Sequence, residues 1–261
     1  MLGGFGIMIP IKSPREIALM RTAGMIVGQA LRLAERTIQS GVTTKDLDDI
    51  IRKHITAQGA KPSFLGYRGF PASACISVNE ELIHGIPGGR VLCQGDIVGI
   101  DVGVCHEGFH ADSAATFSVG AVAPKAQQLI DITRQSFYQG LQFCRKGAHI
   151  GDISQAIGDY ANKHGYAVVE HFTGHGVGAS LHEEPEIPNF FTGKRGARLA
   201  SGMTLAIEPM IIASNRPDVE ILKDGWTVVS ADRALTAHYE HTVLITDGAP
   251  ELLTAREGDV S

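Results

Sequence analysis

The chain has 261 residues, 44% of them hydrophobic and 20% charged, with a formal net charge of −5. That composition supports a sizeable buried core and argues against a nucleic-acid or polyanion partner, which would call for a basic surface. Cys75, Cys93, Cys105 and Cys144 form no C-x-x-C pair and no disulfide framework, so a reducing compartment is expected. The apolar start lacks a basic n-region and is broken by Pro10 and by glycines, which makes a poor signal peptide. No run reaches the ~18 apolar residues of a membrane span. The expected location is the cytoplasm.

Ser13, Pro14 and Glu16 open the first helix. Ser13 caps, Pro14 suits the first helical position, and Glu16 stands three residues after the cap, as in a capping box. Ile17, Met20, Ala23, Val27, Ala30, Leu31 and Ala34 follow helical spacing. Gly41 ends this helix or lies just beyond it. A second helix runs from about Thr44 to Ala57, with Leu47, Ile50, Ile51 and Ile55 on one face. These stripes read as core packing.

The most informative stretch is Gly95 to Thr116. Ile97–Cys105 and Phe109–Phe117 read as two strands joined by a turn at His106-Glu107-Gly108. If Cys105 faces Gly108, then Asp101 faces Asp112, with Cβ atoms roughly 5 Å apart. Two carboxylates so placed among apolar residues repel unless they share a proton or bind a cation. The plainer reading is one solvated and one turn aspartate. The sharper one is a carboxylate pair bridging two metal ions, with other ligands supplied elsewhere.

A similar pair of helices follows, Pro124 to Arg145 and Asp152 to Lys163. Gly41, Asp46, Leu47 and Gly59 match Gly147, Asp152, Ile153 and Gly165 at a constant offset of 106. The run Gly95 to Asp101 matches Gly202 to Glu208 at an offset of 107. The pattern suggests one domain over 1–261 built from an internal pseudo-repeat, about 13–120 and 121–250. It would place Asp101 and Glu208 at a shared seam, where clefts form.

Among the 11 histidines, His54, His106, His149 and His164 sit in helices or turns and carry no assignment. His175, in Gly174-His175-Gly176, gains weight because the acidic set lacks a nitrogen ligand. Glu240, in the strand-like run Ala237 to Ile245, would return beside the Glu208 strand. Trp226 lies in the longer excursion between them and either packs or lines a pocket.

Seven motifs in order then carry a resemblance. They are Asn79 to Pro87, Ile100 to Gly103, Phe109 to Asp112, Gly174 to Gly176, His182 to Pro185, Ile207 to Met210 and Tyr239 to Thr242. From about Pro10 to Thr254 the chain resembles type I methionine aminopeptidases of the short bacterial kind. The resemblance implies an α+β pita-bread fold, two pseudo-symmetric halves with a curved antiparallel sheet covered by helices. It implies two divalent ions (Mn, Fe(II), Co or Zn) held by Asp101, Asp112, His175, Glu208 and Glu240, a hard donor set. Asp112 and Glu240 would bridge both ions and generate a metal-bound hydroxide that attacks the scissile carbonyl. Glu208 would also shuttle a proton. His182 would donate to the oxyanion, and His84 would contact the substrate beyond the cut. Tyr67, Phe70, Cys75 and Trp226 would line the methionine pocket.

The substrates implied are N-termini of nascent polypeptides at the ribosome, deformylated and with a small, uncharged second residue. The same resemblance implies a monomer that needs neither nucleic acid nor membrane. Thr173, Phe64 and the run Ala179-Ser180-Leu181 depart from the usual pattern and bear on pocket shape. A start close to the first helix, without a zinc-finger extension, and no long insert between His175 and Glu208 speak against type II enzymes. Two competing readings share the fold. A proline-specific peptidase would usually carry a further N-terminal domain. A catalytically dead binding module at ribosomes or on RNA would have lost ligands and gained a basic tail, and here all five ligands are present.

Overall fold

The computed structural model describes residues 9–256, 258 and 259. Most of the apolar start, residues 1–8, lies outside them. Helix α1 spans Pro14–Thr37 and α2 spans Thr44–Ala57. Both open on reciprocal capping boxes, Ser13 with Glu16 and Thr43 with Asp46. Strands β1 (Lys61–Pro62), β2 (Ala74–Val78) and β3 (Glu81–Ile83) lead to the long hairpin β4 (Ile97–His106) and β5 (Phe109–Ser118). Helices α3 (Pro124–Leu141) and α4 (Ile150–Lys163) follow. The first is shorter than expected, because bonds from Phe143 to Gly140 and from Cys144 to Leu141 tighten the chain out of the helix. The second starts two residues early, with Asp152 accepting from the His149 backbone N–H at 2.9 Å.

The second half continues with β6 (Ala167–Val168), β7 (Gly174–Gly176), β8 (Glu183–Ile187), β9 (Thr204–Ile207) and β10 (Met210–Ile212). Then come β11 (Val219–Ile221), β12 (Val228–Ser230), β13 (Thr236–His238), β14 (His241–Leu244) and β15 (Glu251–Leu252). All strand pairings are antiparallel. Strand β4 pairs with β5 on one side and with β1 and β2 on the other. The second large sheet runs β15-β14-β9-β7-β8, and two three-stranded sheets complete the fold, β13-β10-β6 and β11-β12-β3. The cores are parallel in make-up. Val27, Leu31, Leu47 and Ile51 of the first two helices pack on Ile76 and Ile100. Phe137, Ile153 and Ile157 of the next two pack on Leu205, Ile207 and Val243.

The hairpin register differs from the expected one. Asp101 pairs with Ala114, and Asp112 pairs with Gly103. The reason is the place of the turn, whose two residues are Glu107 and Gly108, one position later than the His106-Glu107 turn that a Cys105–Gly108 pair requires. Glu107 and Gly108 take φ of 48° and 84°, as a tight turn with two left-handed positions requires. The slip is two pairing steps, so Asp101 and Asp112 still project from one face, on a diagonal. Gly103, opposite Asp112, has no room for a side chain, since a Cβ would lie 2.6 Å from the Phe64 ring.

Helix α1 has no unbroken apolar run of membrane-span length, yet its mean hydropathy is high. It is long and apolar enough to cross a bilayer, with an 18-residue window of mean hydropathy 1.2. Half of that window is buried inside the protein. Gly24 and Gly28 lie so close to the Leu253–Ala255 backbone that a Cβ on Gly24 would overlap the Leu253 carbonyl. The apolar stripe is thus a core face.

Candidate functional site

Glu208 and Glu240 lie where strands break. The run expected as one strand, Ala237 to Ile245, is β13 and β14 with Tyr239 and Glu240 between them. Glu208 and Pro209 separate β9 from β10 in the same way. The β9–β14 ladder ends at the Ile207–His241 pair, so Glu208 and Glu240 are the next residues on each side. Each break passes the chain from one sheet to another and turns a carboxylate into the space between them. Asp101 on β4, Asp112 on β5 and His175 on β7 reach the same space. All five expected ligands line one cavity of about 150 Å³. Ligand atoms of Asp112, His175 and Glu240 lie within 4.8 Å of one another.

The histidine tautomer follows from its partners. His175 Nδ1 lies 2.8 Å from the Gly176 carbonyl oxygen, which can only accept, so Nδ1 carries the proton. Nε2 then presents a lone pair, 3.6 Å from both Asp112 Oδ2 and Glu208 Oε1. Burial pushes all four carboxyl groups above their ordinary range. For Asp101, Glu208 and Glu240 neighbouring carboxylates add to the push, and Glu208 reaches about 8. The nearby His175 imidazole and the Thr242 hydroxyl oppose the rise at Asp112. Asp101 Oδ1 is buried without a hydrogen-bond partner among the described residues. Buried acids under mutual repulsion, one oxygen unpaired and an imidazole lone pair facing them, make a donor set that fits divalent cations.

The expected pocket residues line the same cavity. Cys75 on β2 pairs with Asp101, so the apolar wall abuts the acids directly. Phe70 meets Trp226 edge-on at 5.1 Å between ring centroids. His84 sits between Phe172 and Trp226, at 5.9 and 6.2 Å. Burial, then the neighbouring His238, brings its pKa down to about 4. At the mouth, Tyr67 stacks on His182 at 5.2 Å, and the His175 ring is 4.1 Å from the His182 ring. Two of the departures noted in the sequence, Phe64 and Leu181, are part of this lining. The His182 loop is pinned from below. Lys12, 7% exposed, places Nζ 2.7 Å from Glu183 Oε2, and Glu183 Oε1 accepts the Ser180 N–H at 3.0 Å.

Three residues of the site escaped the sequence reading. Arg68 lines the cavity at its rim. His238 Nε2 is 3.4 Å from Glu208 Oε2, and burial brings this histidine to about 4. Thr242 bonds to Asp112. His238 and Thr242 flank Glu240 at two-residue steps, the strand period, and that alternation was the available signal.

The acid cluster predicts how metal and protons compete. Glu208 has a folded pKa of about 8, raised above the ordinary 4.5. Without metal, its stabilising contribution is therefore full below about pH 4.5 and is lost as pH rises through 8. A cation that displaces those protons binds better as pH rises. The gap in melting temperature between manganese-loaded and chelator-stripped protein should widen from pH 5.5 to 8. A gap that stays constant or narrows would mean the acids do not carry the cation.

Comparison with known proteins agrees with this geometry. Residues 18–247 match the model of metallopeptidase family M24. The chain is 50% identical to a methionine aminopeptidase of Clostridium perfringens, over 95% of this chain and 99% of that one. It is 47% identical to methionine aminopeptidase 1 of Bacillus subtilis, with the same coverage. The crystal structure of methionine aminopeptidase from Rickettsia prowazekii superposes with a TM-score of 0.93 at 40% identity, covering 95% and 100% of the two chains. A prolidase from Pyrococcus furiosus, 23% identical with a TM-score of 0.78, shares the fold. The mixed helical and antiparallel architecture is the pita-bread fold. With its helices, its sheets and its acid-histidine cluster accounted for, the chain belongs to metallopeptidase family M24, among the methionine aminopeptidases.

Proposed function

We propose that the chain removes an N-terminal methionine from polypeptides whose second residue is small and uncharged. One observation carries this reading. A pocket walled by Tyr67, Phe70, Cys75 and Trp226 opens directly onto the carboxylate–imidazole cluster, within a single cavity. An unbranched thioether suits an aromatic- and sulfur-lined wall, and the bond to be cut then lies over the acids.

Asp112 and Glu240 would each hold two divalent ions, Asp101 one of them, and His175 with Glu208 the other. When bound, such ions supply Lewis acidity and lower the pKa of water. The chain's own groups do the rest. His182 is held well below the ordinary histidine range, by desolvation and then by His175, so it is a neutral donor for the scissile carbonyl. Glu208 is the carboxylate suited to carry a proton to the leaving amine. His84 stands over the pocket beside Trp226 and positions the peptide beyond the cut.

A tripeptide panel tests the assignment. Met-Ala-Ser and Met-Gly peptides should be cut, while Met-Lys and Met-Leu peptides should be poor substrates. N-formylation should block cleavage, because the free amine approaches the acidic cluster. Preference among small second residues should be graded, since one methylene changes binding by only ~1–3 kcal/mol. Strong cleavage of Ala-Pro-Ala with none of Met-Ala-Ser would instead establish the proline-specific reading.

A further inference from the structure

The first half meets the second where β5 lies beside β13 and β14, and side-chain hydroxyls knit this seam. At its centre the Glu240 N–H donates to the Ala114 carbonyl at 2.9 Å, and Ser113 Oγ donates back to the Glu240 carbonyl. On one flank Thr116 Oγ1 accepts the His238 N–H and donates to the His238 carbonyl, both at 3.0 Å. On the other flank the roles of the halves are exchanged. Thr242 Oγ1 accepts the Asp112 N–H at 3.0 Å and donates to the Asp112 carbonyl at 2.9 Å, with Asp112 Oδ1 at 3.3 Å as the alternative acceptor.

A hydroxyl has one proton and two lone pairs. Thr242, fully buried, directs them at a single residue and so fixes the backbone of Asp112, with carboxylate oxygen Oδ1 within reach of the same proton. The other oxygen, Oδ2, is left facing His175 Nε2. Thr242 is itself tied down, since its N–H donates to Thr254 Oγ1 at 3.1 Å. Thr254 Oγ1 lies 2.9 Å from His241 Nδ1.

We infer that Thr242 is a positioning residue of the metal centre, its hydroxyl setting the orientation of Asp112 toward the ions and thereby their affinity. The inference rests on the reading of Asp112 as a ligand. Partners that orient ligands typically change metal affinity 10–100-fold when removed.

Calorimetric titration of Mn²⁺ into the metal-stripped full chain tests it, alongside melting curves of the metal-free proteins. Thr242→Ser and Thr242→Ala both lose the methyl group, and only serine keeps the hydroxyl. The serine variant should bind Mn²⁺ within about threefold of the parent, and the alanine variant about 10-fold or more weakly. Thr116→Ala removes the same kind of double bond from the same seam without touching a proposed ligand, and should stay within about threefold of the parent, below the range expected for a lost ligand partner. Equal affinities for Thr242→Ser and Thr242→Ala would overturn the inference. So would a loss in Thr116→Ala as large as that in Thr242→Ala, which assigns the effect to the seam. Failure of Thr242→Ala and of the isosteric Thr242→Val to fold, with Thr116→Ala folded, would make the role structural and also overturn it. Asp112→Ala is the separate control. If it binds Mn²⁺ as tightly as the parent, the ligand reading itself has failed, whatever the threonines do.

Discussion

Glu240→Ala should lose most bound metal and cut methionyl peptides on the order of 10³-fold more slowly, or worse. The carboxylate is 2% exposed, and its backbone is fixed by Ala114 on one side and Ser113 on the other. The backbone bonds hold the residue in place at the wall of the cavity. Its ligand atom shares a 4.8 Å cluster with those of Asp112 and His175, so its removal affects every ion bound there. Lewis-acid assistance is worth several kcal/mol, and each ~1.4 kcal/mol is tenfold in rate. A misfolded variant would also be inactive, and stability separates the two cases. Burial and the charges of Asp112, Glu208 and Asp101 all push Glu240 toward its protonated form. Deleting it relieves that strain, so the metal-free variant should melt no lower at pH 8 than metal-free parent. Full metal content with full activity would sink the assignment, and the same outcome is expected to fail for Asp112→Ala.

His182→Ala should keep its metal and its melting temperature yet lose kcat by roughly 10²–10³-fold, the usual cost of one preorganised donor to a developing oxyanion. The ring stands at the cavity mouth and forms no part of the acid cluster. Its position is set by Tyr67 on one face, His175 on another, and the Lys12–Glu183 pair beneath the loop. A donor held this way contributes when negative charge develops on the carbonyl oxygen, so the loss belongs in kcat. A variant with unchanged kcat and a raised KM would show that His182 only helps to bind the peptide.

Much of this was legible in the residues themselves. Ser13, Pro14 and Glu16 mark the start of α1 because capping is a local hydrogen-bond problem with a local answer. The two strands of the long hairpin were legible from apolar composition and the glycine in the turn. Their register was not, because a two-residue turn at His106-Glu107 and one at Glu107-Gly108 differ in which residues take positive φ, and a single glycine beside Glu107 does not disclose where the pair begins. The faces survived the error, since a slip of two steps leaves alternation intact. The acids converge in one cavity with His175, as their motifs implied. The breaks that aim Glu208 and Glu240 were hidden, because Pro209 and Tyr239 interrupt runs that otherwise alternate like single strands. His238 and Thr242 stayed unseen for a different reason. Their two-residue spacing around Glu240 places them beside it, but which groups they meet, Glu208 for the one and Asp112 for the other, is set by chain segments distant in sequence. The hydropathy of α1 misleads in the opposite sense, since a stripe rich in small residues serves equally for a bilayer and for tight packing on a backbone.

That packing has a kinetic consequence. Gly24 and Gly28 dock on residues 253–255, and Arg21 pairs with Glu251, 230 residues away along the chain, at 2.7 Å. The first helix therefore completes its burial only when a very large loop closes. Loop-closure entropy grows slowly with length, but it is spent before these contacts return anything. Until then the glycine face of α1 stays open to water, so a chain still lacking its last residues leaves this apolar stripe uncovered.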